Sequence, residues 1–326
     1  MTLTVINAEA VRALLTMERC IELMREAMTL AAAEGAVQPI RSGLQTGDRR
    51  GALGLMPGYL PEPARLGVKV ITVYPGNAGT GLGSHQGMVL LFDAATGQPT
   101  AIVEARELTA VRTAAASAVA TDTLARGDAE SLAVFGCGDQ ARAHLDAMLL
   151  VRAFDRVMVW GRDHARAAAF ARVQSERLER DIVAVRDARD AAGAAVICTA
   201  TAAAEPFLLG AWLEGGQHLN IVGSSIPTTS EIDIEAVARA RYFVDFEPSA
   251  RALAGDYLRA LEDGAVEEGH IRGSIGQVLT GAVEGRTDPA DITLFKSLGM
   301  AAEDLVAAEF VVAEARRLGV GHVVGW

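Results

Sequence analysis

The sequence predicts an α/β protein in which a doubly wound parallel-sheet domain is inserted into a smaller α+β domain, and three observations carry this. From Ser131 onward, apolar strand-length runs alternate with helical stretches, the rhythm of β–α–β units and a parallel sheet. The run Ser131–Phe135 passes directly into Gly136-Cys137-Gly138-Asp139-Gln140-Ala141 and then a helix, the strand–turn–helix order of a Rossmann-type dinucleotide domain. Ala302–Leu318 is an amphipathic helix that follows the wound region, and we expect it to return to the first domain. The expected division is residues 1–126 with 300–326 for the smaller domain and 127–299 for the Rossmann-type domain.

The elements follow in order. From Asn7 to about Ala33, Val11, Leu14, Leu15, Ile21, Leu23 and Met24 fall close to helical spacing. Strand-like runs come next at Gly67–Tyr74, Gly87–Phe92 and Thr100–Val103. The last two are joined by Asp93-Ala94-Ala95-Thr96-Gly97-Gln98, a hairpin-like segment, so this half leans antiparallel. Glu107–Leu124 reads as one long Ala-rich helix, stopped near Gly127-Asp128. In the wound region, strands are expected at Ser131–Phe135, Arg156–Trp160, Ile182–Val185, Ala194–Thr199, His218–Val222 and Tyr242–Asp245, with helices such as Asp139–Val151 and His164–Glu179 between them.

Length and composition set bounds on function. A chain of 326 residues, 50% hydrophobic and 22% charged, has the mix of a folded protein and room for two ordinary domains. Its net charge of −11 argues against nucleic acid as a main partner, although a local basic pocket can still hold a small anion. Cys20, Cys137 and Cys198 show neither disulfide pairing nor metal-ligand spacing, which fits a reducing compartment and no metal. The N-terminal segment lacks the basic start and apolar core of a signal peptide. The most apolar long stretch, Ala191–Leu213, is broken by Glu205 and Pro206, so no membrane span is expected. A soluble, cytoplasmic protein is the prediction.

The glycine motif points to a dinucleotide for physical reasons. Gly136 makes the tight turn, Gly138 lets backbone approach a pyrophosphate, and Ala141 is small enough for helix and strand to pack. The helix N-terminus supplies N–H groups and positive dipole to the phosphates. The alternative is a Gly-rich turn without a ligand. Which dinucleotide binds is read at the end of the second strand, where a carboxylate would hold the ribose hydroxyls of NAD. Here Arg156–Trp160 is followed by Gly161-Arg162-Asp163-His164. Gly161 removes the carboxylate and Arg162 offers a cation to a 2′-phosphate, so NADP(H) is the favoured cofactor. NAD(H), with Asp163 as ribose ligand, is the alternative.

Three cations of the first half are unusually placed: Lys69 inside an apolar strand, Arg112 inside an Ala-rich helix, and Arg41 after Pro39-Ile40. Buried Lys and Arg need an anion, and a substrate carboxylate suits them because Arg grips it bidentately. The plainer alternative is that Lys69 faces solvent and Arg112 makes a local salt bridge.

Over nearly its whole length the chain resembles the ornithine cyclodeaminase/mu-crystallin family. The matching pieces are Pro39-Ile40-Arg41, Met56-Pro57-Gly58-Tyr59, Gly67-Val68-Lys69, Ser84-His85-Gln86-Gly87, Arg112-Thr113-Ala114-Ala115-Ala116-Ser117, the glycine motif with Gln140, and Phe295-Lys296-Ser297-Leu298-Gly299. The resemblance implies a homodimer whose first domain and C-terminal helix serve dimerisation and substrate binding. It also implies that Arg41, Lys69 and Arg112 surround a substrate carboxylate. The cofactor would be lined by Ser84, His85, Thr113, Asp139, Gln140, Arg162, Thr199, Ala200, Thr201 and Ser297, beside Gly136, Gly138, Gly161 and Gly223.

Family members interconvert an amino acid and its imine by hydride transfer with nicotinamide. Ornithine cyclodeaminases resemble one another in carrying an Asp within a Gly-Ala-Asp sequence after the fifth wound strand. This chain has Val222-Gly223-Ser224-Ser225-Ile226-Pro227, with Ser225 in the Asp position, and a hydroxyl does not replace a carboxylate as base without an activating partner. The departure moves the expectation to reduction of a C=N bond beside a carboxylate. In that reading Arg41 and Arg112 fix the carboxylate. Lys69 acts near the imine nitrogen, with a water held by Ser225 or His85 as the other candidate proton source. Ornithine cyclodeaminase, an alanine-type amino-acid dehydrogenase, and a non-enzymatic NADPH or small-molecule binder are the alternatives.

Overall fold

A computed structural model describes residues 2–77 and 80–325. The chain begins with β1 (Thr2–Ile6), α1 (Ala8–Leu14) and α2 (Met17–Ala31). The single N-terminal helix expected from spacing is two helices, because the chain is capped twice. Asn7 accepts from the Ala10 N–H at 2.9 Å to start α1, and Thr16 accepts from the Arg19 N–H at 3.3 Å to start α2. Strands β2 (Ser42–Gln45), β3 (Ala52–Pro61), β4 (Ala64–Val73), β5 (His85–Phe92) and β6 (Pro99–Glu104) follow, and then α3 (Ala105–Leu124). The β5–β6 hairpin closes through Asp93 N–H to Gln98 O, 2.8 Å. Strand β3 lies where Gly54, Pro57 and Gly58 argue against one. Its Gly58 is paired with Gly67 of β4.

The second half supplies β7 (Ser131–Phe135), α4 (Asp139–Val151), β8 (Arg156–Trp160), α5 (His164–Leu178), β9 (Ile182–Ala184), α6 (Ala188–Ala192), β10 (Val196–Thr199) and β11 (His218–Ile221). It continues with α7 (Ile234–Arg239), β12 (Ala240–Val244), α8 (Glu247–Leu253), α9 (Gly255–Asp263), β13 (Ile271–Ser274), α10 (Ile275–Leu279) and β14 (Ile292–Lys296), and the chain ends with α11 (Ala301–Leu318) and β15 (His322–Gly325).

By internal packing the chain divides into Met1–Arg112 with Gly299–Trp326, and Thr113–Leu298. The division therefore falls within α3, fourteen residues or so earlier than the stop at Gly127-Asp128 suggested. The first unit holds a seven-stranded sheet in the order β15-β1-β6-β5-β4-β3-β2. It is antiparallel except where β1 runs parallel to β6. Helix α11 lies on this sheet: a Cβ on Gly58 would come 2.6 Å from the Ala301 Cβ, and one on Gly67 would come 2.6 Å from Leu305.

The second unit holds an eight-stranded sheet in the order β13-β12-β14-β11-β10-β7-β8-β9, parallel at every pairing. From β7 the chain builds outward through β8 and β9, then returns to build the other side from β10, so the sheet is doubly wound. Its core is a continuous apolar cluster that includes Phe135, Leu219, Tyr242, Tyr257 and Leu294. Among the described residues no helix is long and apolar enough to cross a membrane.

Candidate active site

An open parallel sheet binds its ligand beyond the carboxyl ends of the strands, where the winding reverses. In the second unit that point is the C-terminal end of β7, between β8 and β10. The cofactor residues expected in this unit follow these strand ends, whereas Ser84 and His85 lie in the first unit. Gly136–Gln140 follow β7, Gly161 and Arg162 follow β8, Thr199 ends β10 with Ala200 and Thr201 behind it, Gly223 follows β11, and Ser297 follows β14. Thr113 is buried on α3, and Ser225 is half-buried two residues beyond Gly223. Backbone bonds join neighbouring turns: Gly136 N–H to Trp160 O at 2.9 Å, Ala200 N–H to Phe135 O at 2.8 Å, and Ser297 N–H to Ile221 O at 3.0 Å.

These residues fit a dinucleotide. Gly136 has φ +129°, and a Cβ there would come 2.5 Å from Ala200 O, so only glycine makes this turn. Gly138 is the N-cap of α4 with no side-chain cap bond, and a Cβ on it would meet nothing within 4 Å. A pyrophosphate is the kind of acceptor that a bare helix N-terminus takes. Two buried side-chain atoms on this rim, Gln140 Oε1 and Ser297 Oγ, have no hydrogen-bond partner among the described residues. Strand β8 ends at Trp160, and Asp163 is spent capping α5, accepting from the Arg166 N–H at 3.2 Å. Arg162 is exposed.

Sequence reading missed what holds this rim in shape. Glu231 is fully buried and accepts from four donors: Thr199 Oγ1 at 2.7 Å, Thr201 N–H at 2.8 Å, Thr201 Oγ1 at 2.7 Å and Gly223 N–H at 2.7 Å. Gly223 has to be glycine, since a Cβ would lie 2.2 Å from Thr201 O. Lys296 is also fully buried; its Nζ donates to Ser224 O at 2.6 Å and Ser224 Oγ at 2.9 Å, and sits 3.2 Å from Asp256 Oδ2. Asp256 accepts in turn from Tyr242 OH at 2.9 Å and the Tyr257 N–H at 2.8 Å. Burial, and then the Asp256 charge, push the Tyr242 hydroxyl well above its ordinary range, so it stays a donor. The Gly223–Ser225 loop is thus held from two sides. A lysine inside the apolar run Ile292–Lys296 was a legible signal; Glu231, in the polar stretch Thr228-Thr229-Ser230-Glu231, gave none.

In the first unit, Lys69 of β4 and Arg112 of α3 are buried, 2% and 4% exposed, and the structure brings them together through acids of α11. Lys69 Nζ lies 2.7 Å from Asp304 Oδ2, Arg112 Nε lies 3.0 Å from Asp304 Oδ1, and Arg112 Nη1 lies 2.7 Å from Glu303 Oε2. Glu303 and Asp304 look in the sequence like the usual acidic first turn of a helix, yet both are buried. Lys69 does not face solvent, and Arg112 is salt-bridged, to acids far along the chain rather than locally. Burial, then the Arg112 charge, lower the Lys69 pKa to about 8, with Asp304 opposing the fall. Ser84 Oγ and His85 Nδ1 are 2.9 Å apart at the start of β5. Arg41 lies half-buried just ahead of β2, and Met56 is the cross-strand partner of Lys69.

Comparison with known proteins agrees with this fold. A profile of the ornithine cyclodeaminase/mu-crystallin family matches residues 1–318. The Δ1-pyrroline-2-carboxylate reductase of Bacillus cereus is 33% identical over 319 residues, covering 98% of each chain. The Thermococcus litoralis Δ1-pyrroline-2-carboxylate reductase, solved with NADH and L-proline, superposes with a TM-score of 0.94 at 34% identity over 99% of each chain. An archaeal alanine dehydrogenase dimer with bound NAD gives 0.94 at 28% identity over the whole of both chains. The iminosuccinate reductase of Paracoccus denitrificans with NAD+ gives 0.93 at 29% over the whole of both.

The expected preference for NADP(H) is corrected by these structures, which hold NADH, NAD and NAD+. The physical fault lay in reading one exposed arginine as a phosphate ligand. A guanidinium carries only donors, and these serve a ribose hydroxyl oxygen as well as a phosphate.

Proposed function

The chain belongs to the ornithine cyclodeaminase/mu-crystallin family, and from that premise we propose that it is an NAD(H)-linked oxidoreductase interconverting a small α-imino carboxylate and its α-amino acid. The comparisons support the dehydrogenase alternative of the sequence reading, an NAD-linked enzyme of the amino acid–imine pair, ahead of an NADPH-driven ketimine reductase. Within that class we take Δ1-pyrroline-2-carboxylate and proline as the first pair. The observation carrying this choice is end-to-end likeness to two reductases of that imine. Ser225 in place of a carboxylate adds to it, because ornithine cyclisation loses its base.

Bound NADH supplies the hydride. The protein's part is to hold the other reactant. Arg112 and Arg41 orient the substrate carboxylate, and ordering of that kind removes up to roughly 7–11 kcal/mol from a barrier. Arg112 is already fixed by Glu303 and Asp304, so little side-chain freedom is lost when a ligand arrives. Lys69, with a pKa of about 8, is mostly protonated at neutral pH and gives its Nζ proton to the imine nitrogen; a pKa near the working pH is what general acid catalysis needs. We further propose that the working form is a homodimer.

The test is NADH oxidation at neutral pH with Δ1-pyrroline-2-carboxylate, run beside NADPH, with pyruvate plus ammonium and with ornithine plus NAD+. Turnover of the cyclic imine faster with NADH than NADPH, and no proline from ornithine, is the expected result. The second reading, an alanine-type dehydrogenase, is favoured by the two full-coverage matches to enzymes of acyclic substrates; faster turnover of pyruvate with ammonium would select it. Absence of NADH oxidation with every imine would remove both.

A further inference from the structure

We propose that Glu231 is a positioning residue of the cofactor site: its buried carboxylate fixes the loops after β10 and β11 and gives the crevice a standing negative charge that favours the cationic, oxidised nicotinamide ring over the neutral, reduced one. The inference rests on the proposed NAD(H) reading and adds to it a residue and a redox preference.

Geometry comes first. The backbone joins these two segments where Val222 N–H donates to Thr199 O at 3.1 Å, and Glu231 spans them beyond that point, taking Thr199 and Thr201 on one side and Gly223 on the other, all at 2.7–2.8 Å. Each carboxylate oxygen receives one backbone N–H and one hydroxyl. Oε1 takes Thr201 N–H and Oγ1, and Oε2 takes Gly223 N–H and Thr199 Oγ1. The Thr201 hydroxyl already accepts from the Ala203 N–H at 3.1 Å, so its own hydrogen is directed to Glu231. Four donors around two oxygens are the surroundings of an anion.

Among the described residues Glu231 makes no salt bridge, and the buried lysine of this rim, Lys296, is committed to Asp256 and Ser224. A fully buried carboxylate with hydrogen bonds but no counter-charge is costly, and a cationic ligand offsets that cost.

Position then selects the ligand. The pyrophosphate belongs at the β7–α4 turn, and a dinucleotide crosses the switch point from there. Its adenosine half goes toward the β8 end, with Gly161 and Arg162, and its nicotinamide half toward the β10 and β11 ends, with Thr199, Thr201 and Gly223. The oxidised nicotinamide ring carries one positive charge and the reduced ring none. A fixed negative charge behind the ring's side of the crevice therefore discriminates between them, and bound NADH becomes the better hydride donor.

The experiment is the affinity of the purified protein for NADH and for NAD+, by fluorescence titration and calorimetry, in wild type and Glu231→Gln. The variant keeps the size and removes the charge. NAD+ binding should weaken about tenfold more than NADH binding, the scale of a unit charge acting through a partly polar interior. Glu231→Asp, which keeps the charge on a shorter arm, should weaken both forms together and leave their ratio unchanged. If Glu231→Gln lowers both affinities by the same factor, Glu231 is a clasp without electrostatic effect and the inference fails. Wild-type protein gives an independent check, which holds even if the variants do not fold. It should bind NAD+ about tenfold more tightly than the neutral benzamide analogue of the same dinucleotide, and equal affinities would overturn the proposal. Wild type that binds neither NADH nor NAD+ would instead remove the cofactor reading underneath.

Discussion

Asp304→Asn isolates the role assigned to Lys69. The substitution keeps the shape of the side chain and removes a negative charge 2.7 Å from Lys69 Nζ. In the wild type, burial and Arg112 depress the Lys69 pKa to about 8 while Asp304 holds it up. Loss of an opposite charge at such range lowers a cationic group's pKa by ~1–3 pH units, which puts Lys69 between about pH 5 and 7 in the variant. If protonated Lys69 is the proton donor, kcat/KM falls as pH rises through that pKa. The descending limb should therefore sit at about pH 8 in the wild type and move down by at least ~1 pH unit in Asp304→Asn. For a shift of ~2 pH units the deficit is roughly tenfold at pH 7 and roughly 50-fold at pH 8, shrinking as both enzymes become fully protonated in acid. The assay is initial-rate NADH oxidation with Δ1-pyrroline-2-carboxylate across the pH range at constant ionic strength. A variant slowed equally at every pH, with its limb unmoved, would refute the reasoning and leave Asp304 a packing partner of Arg112.

The same pKa fixes a stability signature. Lys69 has a folded pKa of about 8 against an ordinary value of 10.5, so between these the unfolded chain binds more protons and stability rises with pH. Wild-type stability relative to Lys69→Met should therefore rise by about 3 kcal/mol from pH 8 to 10.5, read from urea unfolding; a flat difference would show that Lys69 is not charged and buried as described. Gly138→Ala meets no atom within 4 Å, so its melting temperature should match wild type while NADH affinity drops at least about tenfold, because backbone approach to the pyrophosphate is blocked; unchanged affinity removes Gly138 from the site. Gly136→Ala, with φ +129° and a Cβ 2.5 Å from Ala200 O, should lose stability by roughly 1–3 kcal/mol or more, and a melt equal to wild type would contradict the turn geometry. Light scattering at micromolar protein should report twice the 34.2 kDa chain mass; a monomer throughout would exclude the homodimer.

How much was legible in the sequence follows from what each feature requires locally. Strands β7 and β8 fall where the apolar runs place them, and the glycine turn is readable because its geometry is confined to six consecutive residues. Strand β3 was hidden, because Pro57 and Gly58 carry a local preference that pairing with β4 and packing under α11 override. Gly58 and, across from it, Gly67 are there for close approach of α11, which no periodicity records. The site divides the same way. Lys69 and Arg112 announced themselves as cations among apolar residues. Their partners did not: Glu303 and Asp304 are nearly 200 residues further along the chain from Arg112, on a helix whose acidic first turn reads as ordinary capping. The cofactor preference failed for another reason, since donor chemistry alone does not separate a ribose hydroxyl from its phosphate.

Lys69 and Lys296 pose one question in the sequence, a lysine inside an apolar strand, and the structure answers it twice. An ammonium group has three N–H donors. Lys296 spends them on Ser224 O, Ser224 Oγ and the Asp256 carboxylate, all within 3.2 Å, so it is saturated by the fold and serves to anchor a loop. Among the described residues Lys69 pairs with one carboxylate, Asp304, which Arg112 also shares, so it has N–H capacity that these residues do not use. Burial makes that state costly for a lysine with no other purpose. Its lowered pKa is the physical consequence, and a ligand bringing an acceptor to Nζ would relieve it. Of two buried lysines with one sequence signature, Lys69 is therefore the one we propose as proton donor to a bound imine, while Lys296 is held by Ser224 and Asp256.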